Sequence, residues 1–405
     1  MNSKKKWVGL TAVILAATTV AACSSSGSTK SASTAAASGG TINVLVVADQ
    51  TGPNKTIGTQ EALGVQAGAA YLNAQGGVLH RKIAVTILND VGDAATATSL
   101  VIKQLAQNPA KYSMIYPGEE GTIVAALIPI VKRDSLYAVD INDGSSGCVA
   151  AASCPTQFSL SGAASLTTEA PASFFAGKKY TNVGVLSAQL DFTANEATDI
   201  QPYLKKAGIK YETASFPVSA VSVTSEMSQL KSGGAQAVYA AAFGAPIGYI
   251  LQARAQLGWN VPVVFDVAGA SFNIPALAPA SELSSTYETA FACMAPSSNL
   301  PAIGLISKYA PTTQDPTVPC NQTASGWDSM MLFAAAAKSA GSLSATSLAK
   351  ATEGIKLTNG TATPLADYAA YCYTGADHEN ACQTGSDFVV VPVGKIANSK
   401  LAPLS

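Results

Sequence analysis

The sequence predicts an α/β protein of two doubly wound parallel-sheet lobes. Three observations predict it. β-branched segments alternate with helix-like ones from residue 42 onward, which implies parallel sheets with helices on both faces. The alternation restarts near residue 182, which implies a second sheet. The 405-residue chain is 48% hydrophobic and only 12% charged, so two sizeable cores can be buried.

The elements follow in order. Residues 42–48 form a nearly continuous apolar run, as expected of a strand buried on both faces. Residues 59–74 read as a helix ended by Gly76 and Gly77. Residues 83–88 are a second strand, and Asp93 is placed to cap a helix reaching about Gln107. A short strand over 113–116 precedes a helix over 121–133, which Pro129 is expected to kink, and a strand over 136–139. The second run has strands at 182–186, 210–216, 236–241 and 261–265, with helices at 193–206, 224–232 and 248–257. Thr193 and Glu196 have capping-box spacing. Residues 322–353 read as mostly helical, and 387–393 as the last strand, returning to an earlier sheet. No internal repeat is evident.

The N-terminus carries a sorting signal. Lys4, Lys5 and Lys6 precede an apolar stretch over 7–20. That stretch falls short of the about 20 residues that span a bilayer, and it has the length of a signal-peptide core. It ends in Val20-Ala21-Ala22-Cys23, small residues before a cysteine as in a lipobox. Residues 1–22 are therefore expected to be a cleaved export signal, with Cys23 lipidated and N-terminal. Residues 24–40 contain only Ser, Gly, Thr, Ala and one Lys, too little to build a core. A flexible coil of that length spans about 20–25 Å. An exported domain tethered to the outer face of a cell membrane is the expectation.

Removing the three leader lysines takes the formal net charge from −1 to −4. No basic excess is left to bind nucleic acid. Of seven cysteines, six remain beside Cys23. An even count in an exported chain reads as disulfides, with fifteen pairings open. Nearest neighbours are favoured, Cys148 with Cys154, Cys293 with Cys320 and Cys372 with Cys382, because each closes a turn-rich loop. No CxxC pair exists, and the two histidines, His80 and His378, read as exposed loop residues, so neither a metal site nor a catalytic base is expected. There is no GxSxG, GxxxxGK[ST] or GxGxxG. No catalytic residue or cofactor is assigned.

Further stretches resemble a known family. Val47-Ala48-Asp49-Gln50-Thr51-Gly52-Pro53 has a strand followed by a (Ser/Thr)-Gly-Pro turn, and Leu72-Asn73-Ala74-Gln75-Gly76-Gly77-Val78 has an (I/L)NAxGG(I/V) helix ending. Leu88-Asn89-Asp90, residues 125–129, and Leu251-Gln252-Ala253-Arg254 before Gly258 add to the match. The chain resembles the type 1 substrate-binding proteins of ABC transporters, most closely the leucine/isoleucine/valine-binding group, over residues 41–400. The resemblance implies two lobes joined by a three-segment hinge, with crossings near 158–162, 288–295 and 366–372. One lobe would hold residues 41–157 plus 296–365 and the other 158–295 plus 366–405. It implies a monomer that closes on a small-molecule ligand and delivers it to an ABC permease.

The family's ligand positions map onto Thr51, Glu120, Gly121, Thr122, Asn142, Asp143, Phe192, Phe243 and Asp266. Glu120 and Gly121 stand where amino-acid binders usually have hydroxyl residues for the ligand carboxylate. Two adjacent carboxylates, Glu119 and Glu120, would repel such a group and favour an amine, amide or hydroxyl-rich ligand. Phe192 and Phe243 lie near positions where Tyr is usual. Asp266 ends a strand, near the family's acidic partner for a ligand amine. The same fold would also serve a ligand-sensing receptor without transport, and a secreted enzyme stays open as a third reading.

Overall fold

The apolar run at 42–48 becomes an inner strand because both its faces are covered. In the computed structural model, which describes residues 40–141, 150–242, 244–298 and 300–403, it is β1 (Ile42–Ala48) of a first sheet. There follow α1 (Lys55–Ala74), β2 (Ile83–Asn89), α2 (Ala94–Ala106), β3 (Tyr112–Tyr116), α3 (Gly121–Arg133), β4 (Ala138–Asp140) and β5 (Gln157–Ser159). The second run is α4 (Glu169–Gly177), β6 (Asn182–Ala188), α5 (Asp191–Lys206), β7 (Lys210–Phe216), α6 (Thr224–Ser232), β8 (Ala237–Ala241), α7 (Ala245–Gln256), β9 (Val263–Phe265) and β10 (Thr286–Phe291). The chain ends with α8 (Pro301–Tyr309), α9 (Cys320–Ala340), α10 (Ala345–Thr352), β11 (Lys356–Thr358), β12 (Ala370–Cys372), β13 (Phe388–Pro392), β14 (Gly394–Ala397) and β15 (Lys400–Pro403).

The first sheet has the order β2-β1-β3-β4-β5 and is parallel throughout. The second has the order β13-β10-β9-β8-β6-β7, with only β13 antiparallel. Both are doubly wound, as the alternation predicts. The late strand does return to an earlier sheet: Val390 pairs with Thr289. The chain crosses between the sheets after Ser159, after Phe291, and between Cys372 and Phe388. The third crossing comes later than 366–372, because β12 still pairs with β11 and Tyr371 Oη donates to Asp328 of α9, which packs on α1. Among the described residues, every member of the five buried apolar clusters falls between Ile42 and Leu401.

Several local expectations change. Helix α1 begins at Lys55, ahead of residue 59. Helix α3 continues past Pro129 as one element. The capping box at Thr193 and Glu196 does not form. Thr193 Oγ1 donates to the Ala188 and Leu190 carbonyls, and Glu196 turns inward to accept from Tyr239 Oη and Thr167 Oγ1. A phenol buried in the second core needs an acceptor, and that need outweighs the cap. His378 is fully buried, not exposed. Its ring stacks on Phe158 at 3.9 Å, and Nδ1 lies 2.9 Å from the carbonyls of Cys154 and Gln157. Carbonyls only accept, so Nδ1 carries the proton. The short elements β5, α4, β10 and α8 escape the sequence pattern because small and polar residues blur their period.

Cys293 is bonded to Cys320, and Cys372 to Cys382, with Cα separations of 6.2 and 5.3 Å. Cys154 is also disulfide-bonded. Cys148 and Cys23 lie outside the described residues. Helices α1 and α9 pack closely through glycines. A Cβ on Gly326 would lie 2.2 Å from the Glu61 carbonyl, and one on Gly64 would lie 2.0 Å from that of Thr323. Gly326→Val is therefore expected to cost about 3 kcal/mol through overpacking. A urea midpoint equal to that of the parent chain would count against this close contact.

Candidate functional site

Parallel strands end their carboxyl edges on one side, where ligands bind in open α/β sheets. At the first sheet's edge three loops converge on a small cavity. It is lined by Asp49 and Asn54 after β1, Asp90 after β2, Gly118, Glu119 and Glu120 after β3, and Glu61 from α1. No lysine or arginine is among its lining residues.

Each loop has its own fastening. Asp49 accepts backbone N–H bonds from Thr51, Gly52 and Asn54, at 3.0, 2.5 and 2.8 Å. Its carboxylate is thus committed to shaping the (Ser/Thr)-Gly-Pro turn. Asn89 accepts from the Gln50 N–H and donates to Thr51 Oγ1, both near 2.9 and 2.8 Å. Thr51 is exposed at the rim. Glu120 is the N-cap residue of α3 and accepts from Asn54 Nδ2, so it bridges the first and third loops. Gly121 opens α3, and Thr122 is exposed beside it. Asn142, Asp143 and Phe243 lie outside the described residues.

The buried face of this edge is strongly acidic. Glu61 is 2% exposed, and Tyr116 Oη donates to it at 3.4 Å. Burial, then the neighbouring Glu119, pushes its carboxyl well above the usual range. Burial raises Glu119 to about 7, against the pull of a Gln322 hydrogen bond, and Glu120 adds to the rise. Burial also raises Asp90, offset in part by the Gly92 N–H. Uncompensated carboxyl groups hold protons rather than sit charged in a low dielectric. Glu61 and Asp90 were not among the residues mapped from the family motif. The one signal was a Glu in the middle of a small-residue helix, and helix periodicity alone does not separate an inward Glu from an outward one.

At the second sheet's edge Asp266 follows β9 and is fully buried. Neither carboxyl oxygen makes a hydrogen bond of normal geometry among the described residues, although the backbone N–H groups of Ala242 and Gly269 lie near enough to act on it. Burial first, and Glu196 second, hold it well above the usual range; the N–H groups of Ala242 and Gly269 offset this in part. Phe192, in the first turn of α5, is 37% exposed, so it serves no core. Val267, next to Asp266, joins the first sheet's apolar cluster, so this loop touches the other layer. Among the described residues no group of three or more His, Cys, Asp or Glu is placed to hold a metal ion. No described helix is long and apolar enough to cross a membrane.

Comparison with known proteins agrees with the fold. No curated protein sequence matches the chain. A periplasmic binding protein type 1 from Bordetella pertussis Tohama I superposes with a TM-score of 0.68 at 18% identity, covering 90% of this chain and 100% of that one. A solute-binding protein of an ABC transporter from Rhodopseudomonas palustris BisB5, bound to 3,4-dihydroxybenzoic acid, gives 0.62 at 14% identity, covering 84% and 90%. The branched-chain amino acid transporter substrate-binding protein LivJ from Streptococcus pneumoniae, bound to isoleucine, gives 0.61 at 16%, covering 87% and 99%. The periplasmic binding protein family's profile matches residues 41–383. The chain belongs to this family of extracytoplasmic, non-enzymatic proteins, which bind small molecules for ABC transporters.

Proposed function

We propose that this chain is a membrane-anchored lipoprotein that captures a small amine- or amide-bearing solute and delivers it to an ABC permease. The observation that carries the ligand class is the acidic make-up of the two sheet edges. One presents Glu61, Asp90, Glu119 and Glu120 around a cavity that no lysine or arginine lines, and the other presents the buried Asp266, with no counter-charge among the described groups acting on it. A ligand cation would let these groups ionise and would gain charge-assisted hydrogen bonds. A ligand carboxylate would find no cation on the first edge and would raise the cost of ionising its acidic groups further. Thr51, Glu120, Gly121 and Thr122 are the proposed contacts on the first lobe, and Phe192 and Asp266 those on the second. Asn142, Asp143 and Phe243 complete the set mapped from the family motif. The lobes, residues 41–157 plus 296–365 and 158–295 plus 366–405 with the third crossing shifted as above, would close by hinge motion. Cys23 carries the anchor, and the protein acts as a monomer without cofactor or catalysis.

A thermal-shift screen over amines, amides, amino acids and aromatic acids tests this. A ligand at about 100 times its Kd stabilises the folded state by about 2.7 kcal/mol. Amine-bearing solutes are expected to raise the unfolding midpoint. A response confined to acids without an amine would sink the proposed ligand class.

A further inference from the structure

Apart from Lys55 at the start of α1, a group of exposed cations of the first sheet gathers at the end opposite the acidic cavity. The loops entering β2 and β3 carry Arg81, Lys82 and Lys111, and the last turns of α3 and α9 carry Lys132, Arg133 and Lys338. All are exposed except Arg81, which is half-buried. A groove at this pole is lined by Arg81, Lys111, Ser113 and Ser344, and its one carboxylate is Asp134. Both Asp134 oxygens are held by the Arg133 guanidinium, at 2.9 and 2.6 Å. Helix dipoles account for cations in last turns. They do not account for Arg81, Lys82 or Lys111, which stand in the connections between helices and strands. Nor does overall basicity, because the chain without its leader lysines is net negative. The charge is segregated along the strand direction.

The chain also enters the fold here. Arg81 donates to the carbonyls of Gly40 and Thr41, at 2.6 and 3.2 Å, so Gly40, the first described residue, is fastened at this pole. We propose that the strand N-terminal pole of the first sheet is a docking surface for an anionic bilayer, through phospholipid headgroup phosphates. The bilayer as partner rests on the membrane-anchored reading above. Cations near an anionic leaflet bind cooperatively as a patch, each adding about fivefold to the partition. Docked this way, the acidic cavity faces away from the lipid and toward the medium from which solute is taken.

The test uses the lipid-free body, residues 40–405, and vesicle co-sedimentation. Binding to phosphatidylglycerol/phosphatidylcholine vesicles is expected to exceed binding to phosphatidylcholine alone by about tenfold or more. It should vanish in roughly 0.5 M NaCl, where the Debye length falls to about 4 Å. The triple variant Lys82→Glu/Lys111→Glu/Lys132→Glu should bind both vesicles equally. Lys178→Glu/Lys205→Glu/Lys206→Glu, at the corresponding pole of the second sheet, should still bind the anionic vesicles. Equal binding of the parent to both vesicles overturns the proposal, as does equal loss in the two triple variants. Displacement by inorganic phosphate at matched ionic strength would also overturn it, in favour of a soluble-anion site. Ligand response in the thermal screen is read separately, so the solute-binding proposal and this one can fail independently.

Discussion

Asp266→Asn is expected to weaken binding of an amine-bearing ligand about a hundredfold, while leaving the ligand-free protein at least as stable as the parent. The two halves have one physical cause. The carboxyl is fully buried, makes no hydrogen bond of normal geometry among the described residues, and burial together with Glu196 pushes its pKa well above the usual range. In the ligand-free state an amide of the same shape keeps an oxygen for the nearby Ala242 and Gly269 N–H groups and removes a latent repulsion from Glu196. When an amine arrives, only the carboxylate supplies the opposite charge. Losing one member of a buried charge pair costs about 2–5 kcal/mol, and a hundredfold is about 2.7 kcal/mol. Calorimetry on the first amine found in the thermal screen, together with urea unfolding of the free variant, checks both halves. Unchanged affinity removes Asp266 from the site. A large fall in free-state stability makes it structural instead.

Stability of the ligand-free protein is expected to fall as pH rises from about 5 to 8. The sign follows from the direction of the shifts. Burial raises Asp328 to about 7 and Glu288 to about 8 in the folded state, and both are fully buried. Unfolded carboxyls ionise near 4, so in this window the native state binds more protons than the unfolded one. Their stabilising contribution is complete below the unfolded pKa and is lost as pH climbs through the folded one. Each group tilts the curve by at most about 1.4 kcal/mol per pH unit. Asp328 still accepts from the N–H groups of Ala366 and Asp367, at 2.8 and 2.9 Å; among the described residues Glu288 has only the Gly394 N–H at 3.4 Å. Glu288→Gln keeps that acceptor and removes the proton. Its stability should match the parent near pH 5 and exceed it at pH 8. Parallel curves for the two proteins in a pH series of urea midpoints would show that Glu288 does not titrate in this range.

The acidic first-lobe edge was half legible before the structure. Glu120 and Gly121 could be placed from their position after the third strand. Glu61 could not, because its burial depends on α9, whose Gly326 stacks against it from far along the chain. His378 is a similar case. As part of a polar loop between two cysteines it reads as exposed. The Cys372–Cys382 bond and the Phe158 ring turn it inward. The capping box at Thr193 failed for the same kind of reason. The buried Tyr239 hydroxyl drew Glu196 away from the helix start.

Local pattern was enough to specify the α/β class, two runs of parallel strands, the Asp93 cap and the late returning strand. Those features follow from the period of apolar residues and from turn chemistry, which act over a few residues. Tertiary contact alone decided which carboxyls are buried without a counter-charge, which histidine is inside, and where the third crossing falls. Burial and the electrostatics it produces depend on which distant segment lands on a residue, and no local period encodes that.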